Sequence, residues 1–195
     1  MEYRELKISG AFEISPRKFG DERGEFLEWF KQETFTDVVG ASLPIAQANC
    51  SVSEAGVLRG IHYADVPPGQ AKYVTCVSGA VFDVVVDLRV GSPTFGQWDS
   101  VVLDTSDRRA VFLPEGLGHG FLALEERSTV IYMCSTSYNP ENEHEINPLD
   151  ETIDIDWPII STSGTPLTYL LSEKDRNAPS FIEMREAGTL PRWTL

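Results

Sequence analysis

Apolar and polar residues alternate with a period of two in several short stretches of the chain. The clearest stretch is residues 81–90 (VFDVVVDLRV), where apolar side chains fill every second position: Phe82, Val84, Val86, Leu88 and Val90. Turn-forming sequences such as VPPGQ, VGSPTFG and LPEGLG separate such stretches at short intervals. Short alternating runs between frequent turns are typical of β-sandwiches and barrels rather than of βαβ units. The pattern therefore predicts an all-β fold.

Two further alternating stretches carry polar side chains on one face. In residues 46–52 (AQANCSV), one face carries Gln47, Asn49 and Ser51. In residues 129–138 (TVIYMCSTSY), one face carries Val130, Tyr132, Cys134, Thr136 and Tyr138. A polar face on a surface strand is simply solvated. Inside a ligand-holding barrel, the same polar positions line the cavity. The sequence leaves both interpretations open.

Helix signals are few. Residues 33–39 (ETFTDVV) predict one short helix. Residues 178–188 (APSFIEMREAG) predict a second, because Ser180 and Glu183 form a capping box and Gly188 provides a stop. Phe181 and Met184 would lie on the same face of that helix.

Length and charge narrow the range of functions. The chain has 195 residues, which suits one domain, and its formal net charge is -14. A strongly acidic protein repels nucleic acid and anionic membranes, since binding to either depends on Lys and Arg. We expect neither as a partner.

Cysteine usage and the N-terminus predict a cytoplasmic protein. Cys50, Cys76 and Cys134 cannot all pair within one chain, and each lies in an apolar run, so we expect all three to be buried, reduced thiols. The N-terminal residues MEYRELKISG contain no apolar core of a signal peptide, and no apolar run reaches the roughly 20 residues that span a bilayer.

Three histidines are the first candidates for chemistry. His62 lies within 14 positions of Arg59 and Lys72, which gathers several cationic or titratable groups in one segment. His119 precedes the short apolar run 121–124, so it could lie at a barrel mouth. His144 lies in the acidic sequence NPENEHE, which predicts a solvated loop.

The motifs of metal, phosphate and nicotinamide sites are absent. No two histidines are separated by one residue, no C-x-x-C pair occurs, and neither GxGxxG nor GxxxxGK[ST] is present. General acid–base chemistry by His, Tyr, Lys and carboxylates is what remains.

Taken together, a series of motifs resembles the dTDP-4-dehydrorhamnose 3,5-epimerase family. In chain order the motifs are FGDERGEFLEWF (19–30), QANCS (47–51), GVLRGIHY (56–63), PGQAK (68–72), DVVVDLR (83–89), GSPTFG (91–96), PEGLGHGF (114–121) and YNPENE (138–143). Their order and spacing match the family over roughly residues 3 to 190. Residues 159–169 match no motif of the family.

The resemblance implies an all-β, double-stranded β-helix (cupin or jelly-roll barrel) with a few short helices, spanning residues 1–195 as one domain. It also implies a homodimer that exchanges N-terminal strand contacts, and a reaction without metal or cofactor. The implied reaction converts dTDP-4-dehydro-6-deoxy-α-D-glucose to dTDP-4-dehydro-β-L-rhamnose. Protons next to the 4-keto group are abstracted and returned, which inverts carbons 3 and 5.

The resemblance also implies residue roles. It identifies His62 as the base, Tyr132 as the acid and Asp175, in LSEKD (171–175), as the group that orients the base. A cation is needed beside the developing negative charge on the ketone oxygen, and Lys72 is our candidate. The ligand contacts that the resemblance implies are Arg23, Glu28, Gln47, Ala48, Asn49, Arg59, Lys72, His119, Glu143 and Lys174. Among these, Arg23 and Arg59 suit the diphosphate.

Three alternatives remain. A single-centre 3- or 5-epimerase of a dTDP-4-keto-6-deoxyhexose, acting in antibiotic-sugar biosynthesis, would share these motifs. A metal-dependent cupin dioxygenase or isomerase would need the H-x-H ligands that the sequence lacks. A non-catalytic sugar-nucleotide-binding barrel would not require an acid and a base together.

Overall fold

Two antiparallel sheets form the body of the computed structural model, which describes residues 1–193. The strands are β1 (Glu2–Glu5), β2 (Phe12–Ser15), β3 (Lys18–Asp21), β4 (Gly24–Leu27), β5 (Gln47–Ser53), β6 (Leu58–Ala64), β7 (Lys72–Ser78), β8 (Ala80–Asp87), β9 (Trp98–Asp104), β10 (Ala110–Leu113), β11 (Leu117–Ala123), β12 (Ser128–Cys134) and β13 (Glu143–Glu145). The helices are α1 (Gln32–Val39), α2 (Glu173–Arg176) and α3 (Phe181–Ala187). The all-β prediction with a few short helices is confirmed.

Strand order identifies the barrel topology. The six-stranded sheet runs β1-β2-β10-β7-β12-β5, and the five-stranded sheet runs β13-β6-β11-β8-β9. Among strands β5 to β12, one sheet contains β5, β12, β7 and β10 in spatial order, and the other contains β6, β11, β8 and β9. This is the connectivity of a jelly roll. The strands β3 and β4 form a separate hairpin.

Apolar side chains fill the space between the sheets and cover their outer faces. Buried residues of the interior include Val74, Val85, Leu103 and Val130. The C-terminal region covers the outer face of the five-stranded sheet, where Trp157 and Phe181 pack against the strands. Because both faces of β8 are buried, the alternation in residues 81–90 separates two packed layers rather than a core from solvent; only Val90, beyond the strand, is exposed.

Strand β5 has the reverse of the usual polarity. Its polar side chains Gln47, Asn49 and Ser51 are half-buried, whereas Ala48, Cys50 and Val52 are exposed. The prediction of a buried thiol is therefore correct for Cys76 and Cys134 but wrong for Cys50, because strand alternation carries this side chain to the outer face. All three cysteines are unpaired, as predicted.

Capping residues mark both ends of α3, the start of α2 and the end of α1. Ser180 and Glu183 form the predicted capping box of α3, and Gly188 ends it in the left-handed conformation. The predicted helix at residues 33–39 is confirmed as α1. The structure adds α2, a single turn whose N-cap is Ser172. No helix within residues 1–193 is long and apolar enough to cross a bilayer.

Candidate active site

His62 and Asp175 form a hydrogen-bonded pair that joins a barrel strand to helix α2. The distance between His62 Nε2 and Asp175 Oδ1 is 2.7 Å. Ser172 holds the carboxylate from the other side, since its hydroxyl donates to Asp175 Oδ2 over 2.8 Å and accepts from the Asp175 backbone N–H. Burial alone would raise the pKa of Asp175, but its hydrogen bond and electrostatic interaction with His62, together with the hydrogen bond from Ser172, hold it below its usual value. The carboxylate therefore stays ionised beside the imidazole.

A second histidine lies beside the first. His119 on β11 is opposite His62 on β6, and its Nε2 lies 2.8 Å from Asp83 Oδ2. Glycines allow the two strands to approach closely here: Gly60 has a φ of +115°, and a Cβ at this position would lie 2.6 Å from the Gly120 Cα. A side chain at Gly60 would therefore separate the strands that carry the two histidines.

The opposite sheet contributes Tyr132, Asn49 and Lys72. Asn49 on β5 pairs with Tyr132 on β12, and Lys72 on β7 pairs with Cys134, the residue two positions further along β12. Burial raises the pKa of the Tyr132 phenol, so it remains protonated at neutral pH. Burial lowers the pKa of the Lys72 ammonium, and the nearby Glu143, Cys134 and Asp83 oppose this effect. The half-buried polar side chains of β5 share a face with Tyr132, which packs against the interior cluster, so this face points into the barrel and not into solvent.

Side chains from four segments form an open cleft of about 260 Å³ over the His62–Asp175 pair. Its lining residues are Arg59, His62, Tyr138, Glu143, His144, Ser172, Lys174 and Asp175. Arg59 is held by Ser53, whose hydroxyl accepts from Arg59 Nε over 3.1 Å. The Lys174 ammonium lies 2.9 Å from a carboxylate oxygen of Glu145. Arg59 lowers and Glu143 raises the pKa of the Tyr132 phenol.

Most of the predicted site residues therefore converge, and the polar side chains of β5 connect to the cleft. Gln47 donates to Asn49 Oδ1 over 2.8 Å and accepts from the backbone N–H of Tyr138, which lines the cleft. Ala48 is exposed on the outer face of β5, so its side chain points away from the barrel interior.

Two predicted ligand contacts lie elsewhere on the chain. Arg23 is at the turn of the β3–β4 hairpin, with 84% of its side chain exposed and a salt bridge to Asp21. Glu28 follows the same hairpin and is also exposed. Neither residue lines the cleft of its own chain within residues 1–193.

Sequence patterns missed two features of the cleft. The acidic sequence around His144 predicted a solvated loop, but this histidine is half-buried on β13 and hydrogen-bonded to Asp65. Ser172 was not singled out, although an N-cap serine three residues before Asp175 is a recognisable signal. Among residues 1–193, no group of three or more His, Cys, Asp or Glu side chains is arranged to ligate a metal.

The arrangement provides the parts of a two-sided proton-transfer site. An imidazole oriented by a carboxylate can act as a general base, and a protonated phenol can act as an acid. His62 belongs to the five-stranded sheet and Tyr132 to the six-stranded sheet. The two groups therefore approach the space between the sheets from opposite sides.

Comparison with known proteins agrees with this geometry. The family model for dTDP-4-dehydrorhamnose 3,5-epimerase matches residues 5–183. A curated dTDP-4-dehydrorhamnose 3,5-epimerase of Mycobacterium tuberculosis is 55% identical over 193 residues, which cover 99% of this chain and 94% of that protein. A dTDP-4-dehydrorhamnose 3-epimerase of Streptomyces niveus is 53% identical, with 99% of this chain and 90% of that protein covered.

Solved structures match as closely. The structure of an RmlC epimerase from Mycobacterium tuberculosis aligns with a TM-score of 0.94 at 56% identity, covering 99% of this chain and 94% of that one. The Legionella pneumophila RmlC structure in complex with dTDP-4-keto-L-rhamnose aligns with a TM-score of 0.90 at 38% identity, covering 100% of this chain and 99% of that one. With a His–Asp pair and a tyrosine on opposite sheets of a jelly-roll barrel, and with matches along almost its whole length, the chain belongs to the dTDP-4-dehydrorhamnose 3,5-epimerase family of sugar-nucleotide epimerases.

Proposed function

We propose that the protein inverts both carbon 3 and carbon 5 of dTDP-4-dehydro-6-deoxy-α-D-glucose, giving dTDP-4-dehydro-β-L-rhamnose for deoxysugar biosynthesis. The observation that carries this proposal is the His62–Asp175 pair on one sheet and the Tyr132 phenol on the other. Inversion requires that a proton leave one face of the sugar and return to the opposite face. Two proton-transfer groups on opposite walls meet that requirement.

His62 acts as the base. Because the Asp175 carboxylate accepts a hydrogen bond from Nε2, the proton of the neutral imidazole resides on Nε2 and leaves Nδ1 basic. An unperturbed imidazole has a pKa of about 6.5, which suits proton abstraction near neutral pH. Asp175 then stabilises the imidazolium that forms.

Lys72 stabilises the enolate. The 4-keto group acidifies the hydrogens on carbons 3 and 5, and removal of either places negative charge on the ketone oxygen. A cation in a partly buried site stabilises that charge more than water would. Lys72 pairs with Cys134, two positions from Tyr132 on β12. Burial lowers its ammonium pKa, and the negative groups Glu143, Cys134 and Asp83 oppose that effect and favour the charged form.

The charges in the cleft suit a nucleoside diphosphate. Arg59 is fixed by Ser53 and exposes its guanidinium to the cleft, where Lys174 adds a second cation. Together they supply positive charge in a protein whose formal net charge is -14. Gln47, Asn49, His119 and Glu143 offer hydrogen-bonding groups for the rest of the ligand.

A single-centre epimerase is the second candidate function. The Streptomyces niveus relative, which is named as a 3-epimerase, is 53% identical, against 55% for the double epimerase of Mycobacterium tuberculosis. The two activities therefore cannot be separated by overall similarity. Both activities would need a base, an acid and stabilisation of an enolate.

One experiment separates the candidates. The purified protein is incubated with dTDP-4-dehydro-6-deoxyglucose in deuterium oxide, and the deuterons at carbons 3 and 5 are counted by proton NMR. We expect deuterium at both carbons and a rhamno-configured product. Deuterium and inversion at one carbon alone would establish the single-centre activity. His62→Ala is the control, and its exchange at both carbons should fall by ~10²–10⁴-fold; near wild-type exchange in this variant would exclude His62 as the base.

We further propose that the enzyme is a homodimer in which each hairpin serves the partner's cleft. Three observations support this. The outer face of β5 exposes Val52, which is 46% accessible, beside Ala48 and Cys50. The hairpin exposes Phe19 and Phe26, at 48% and 67%. Its Arg23 and Glu28 are ligand contacts in the family motif, yet they lie away from their own cleft.

Subunit mixing tests the shared site. Arg23→Ala and His62→Ala should each be nearly inactive alone. Heterodimers formed by unfolding and refolding a mixture carry one intact cleft, so equal amounts should recover about a quarter of the wild-type activity, since about half of the dimers are heterodimers with one working site of two. A mixture as inactive as its components would mean that Arg23 and His62 act within one chain.

The remaining properties that we propose are catalysis without metal or cofactor, a cytoplasmic location, and no binding of nucleic acid or membrane. Three unpaired cysteines suit a reducing compartment. The acidic surface opposes association with other polyanions.

A further inference from the structure

The third histidine of the chain has its own carboxylate partner. His144 Nε2 lies 2.7 Å from Asp65 Oδ1. The His144 ring also packs on the buried ring of Tyr63, with 5.2 Å between centroids and an interplanar angle of 30°. Nothing in the proposed reaction uses this group, because His62 and Tyr132 account for both proton transfers.

His144 is the central residue of a very short edge strand. β13 has three residues and pairs with β6 alone, with Glu143 opposite Ala64, His144 opposite Tyr63 and Glu145 opposite His62. The residues on either side of His144 both serve the cleft. Glu143 lines it, and Glu145 pairs with Lys174, which also lines it.

Asp65 holds the start of β13 at two points. Its backbone N–H donates to the carbonyl oxygen of Asn142 over 2.9 Å, and its carboxylate accepts from His144. Reciprocal backbone hydrogen bonds between Ile61 and Ile146 fix the far end of the strand. A three-residue edge strand makes few backbone hydrogen bonds, so side-chain contacts contribute a large share of its order.

We propose that His144, Asp65 and Tyr63 form a latch, here called the β13 latch, that holds β13 against β6 and so positions Glu143 and Lys174 for ligand binding. His144 is thus a positioning residue. The inference rests on the proposed function only in taking the ligand to be the dTDP-sugar. Because Nε2–H donates from both the imidazolium and the neutral Nε2–H tautomer, the latch does not require a charged histidine.

The latch should act on binding more than on chemistry. The proposed base, its orienting carboxylate and the acid stand on β6, α2 and β12, and none of the three is a member of the latch. Loosening β13 exposes β6 amides to exchange and displaces Glu143 and Lys174, but β6 stays paired with β11 through His62 and His119, so the base keeps its place. Loss of the latch should therefore raise KM and change kcat little.

A double-mutant cycle tests this expectation. His144→Ala and Asp65→Ala should each lower kcat/KM about tenfold, mainly through KM, which is the effect of losing one charge-assisted hydrogen bond. The double variant should be no worse than either single variant, since both remove the same interaction. His144→Gln keeps an N–H donor at similar reach and should recover most of the loss. Asp107→Asn, which alters an exposed salt bridge to Arg109 on the β9–β10 turn, is the control and should match the wild type.

Hydrogen–deuterium exchange of the ligand-free protein gives a readout that is independent of activity. In His144→Ala and Asp65→Ala, amide exchange should quicken in peptides covering residues 142–146 and 61–65 and stay unchanged elsewhere. Unchanged exchange in these peptides, additive losses in the double variant, or a fall in kcat with KM unchanged would each overturn the latch. A wild-type protein inactive on the dTDP-sugar would contradict the proposed function, and the exchange data would still decide on the latch.

Discussion

Single side chains set the chemistry of this cleft through their hydrogen-bond partners. Each of the three histidines is paired through Nε2 with an aspartate: His62 with Asp175, His119 with Asp83 and His144 with Asp65. The three pairs differ in whether the histidine can reach a ligand, because the side chains differ in solvent exposure. The His62 side chain is 38% exposed and can meet a ligand, whereas that of His119 is 9% exposed.

The hydroxyl of Tyr132 separates proton removal from proton return. Tyr132→Phe keeps the ring packed against the interior core and deletes only the acid. If His62 and Lys72 still form the enolate, deuterium should continue to enter the substrate while net inversion falls further, by ~10²-fold or more. Deuterium in recovered substrate and product from one tube would be compared by proton NMR. Parallel losses would show that Tyr132 is not a dedicated acid for the opposite face.

Asp175 links the site to acid stability. Its pKa is lower in the folded protein than in the unfolded chain, so its ionised form stabilises the fold above the unfolded pKa, and this contribution is lost as pH falls through the folded pKa. Near neutral pH, Asp175→Asn should lower the free energy of unfolding by about 1–2 kcal/mol. The difference from the wild type should shrink between about pH 5 and pH 2. Urea titrations across that range measure it, and a constant difference would contradict the link.

At the scale of elements, the sequence predicts which residues share a face of a strand better than it predicts which face is buried. The alternation in residues 46–52 predicted a strand and its two faces, and β5 confirms both. Alternation does not reveal which face is buried, because that depends on the strands above and below. The same limit explains Cys50, whose apolar neighbours suggested a core position although the residue lies on the outer face of an edge strand.

Short elements were the ones that sequence patterns missed. A capping box identified α3 from the sequence, and α1 was predicted without such a signal at its start, where the structure also shows no side-chain cap. Neither the one-turn helix α2 nor the three-residue strand β13 is long enough to show a period. The His62–Asp175 pair was predicted only through the family resemblance, because no local signal links residues so far apart.

The outer face of β5 should decide the oligomeric state. Val52→Asp places a charge on the apolar face that we assign to the dimer interface, so the variant should sediment as a monomer. It should also lose activity, because the partner's hairpin no longer reaches its cleft. Ile182→Asp on α3 is a matched control, since Ile182 is 40% exposed against 46% for Val52. Analytical ultracentrifugation measures the mass. A dimeric Val52→Asp variant would place the interface elsewhere.

At the scale of the whole molecule, the proposed reaction needs protein side chains alone. In this proposal the barrel strands supply the base, the acid and the enolate stabilisation, and α2 adds Lys174 to the cations. Prolonged dialysis against a chelator should therefore leave turnover unchanged, as followed by product formation before and after treatment. Loss of activity that a divalent ion restores would overturn the metal-free reaction.

The wide separation of the catalytic pair along the chain imposes an order on how the enzyme becomes active. Asp175 follows His62 by 113 residues and comes after the last long barrel strand, β12. Ribosomes deliver the N-terminal part first, so the barrel strands leave the ribosome before the residue that orients the base. A nascent chain, or one cleaved ahead of α2, lacks Asp175, so its His62 has no orienting carboxylate. The proposed base is oriented only once α2 has docked on β6, so full activity should require this late segment as well as the barrel strands.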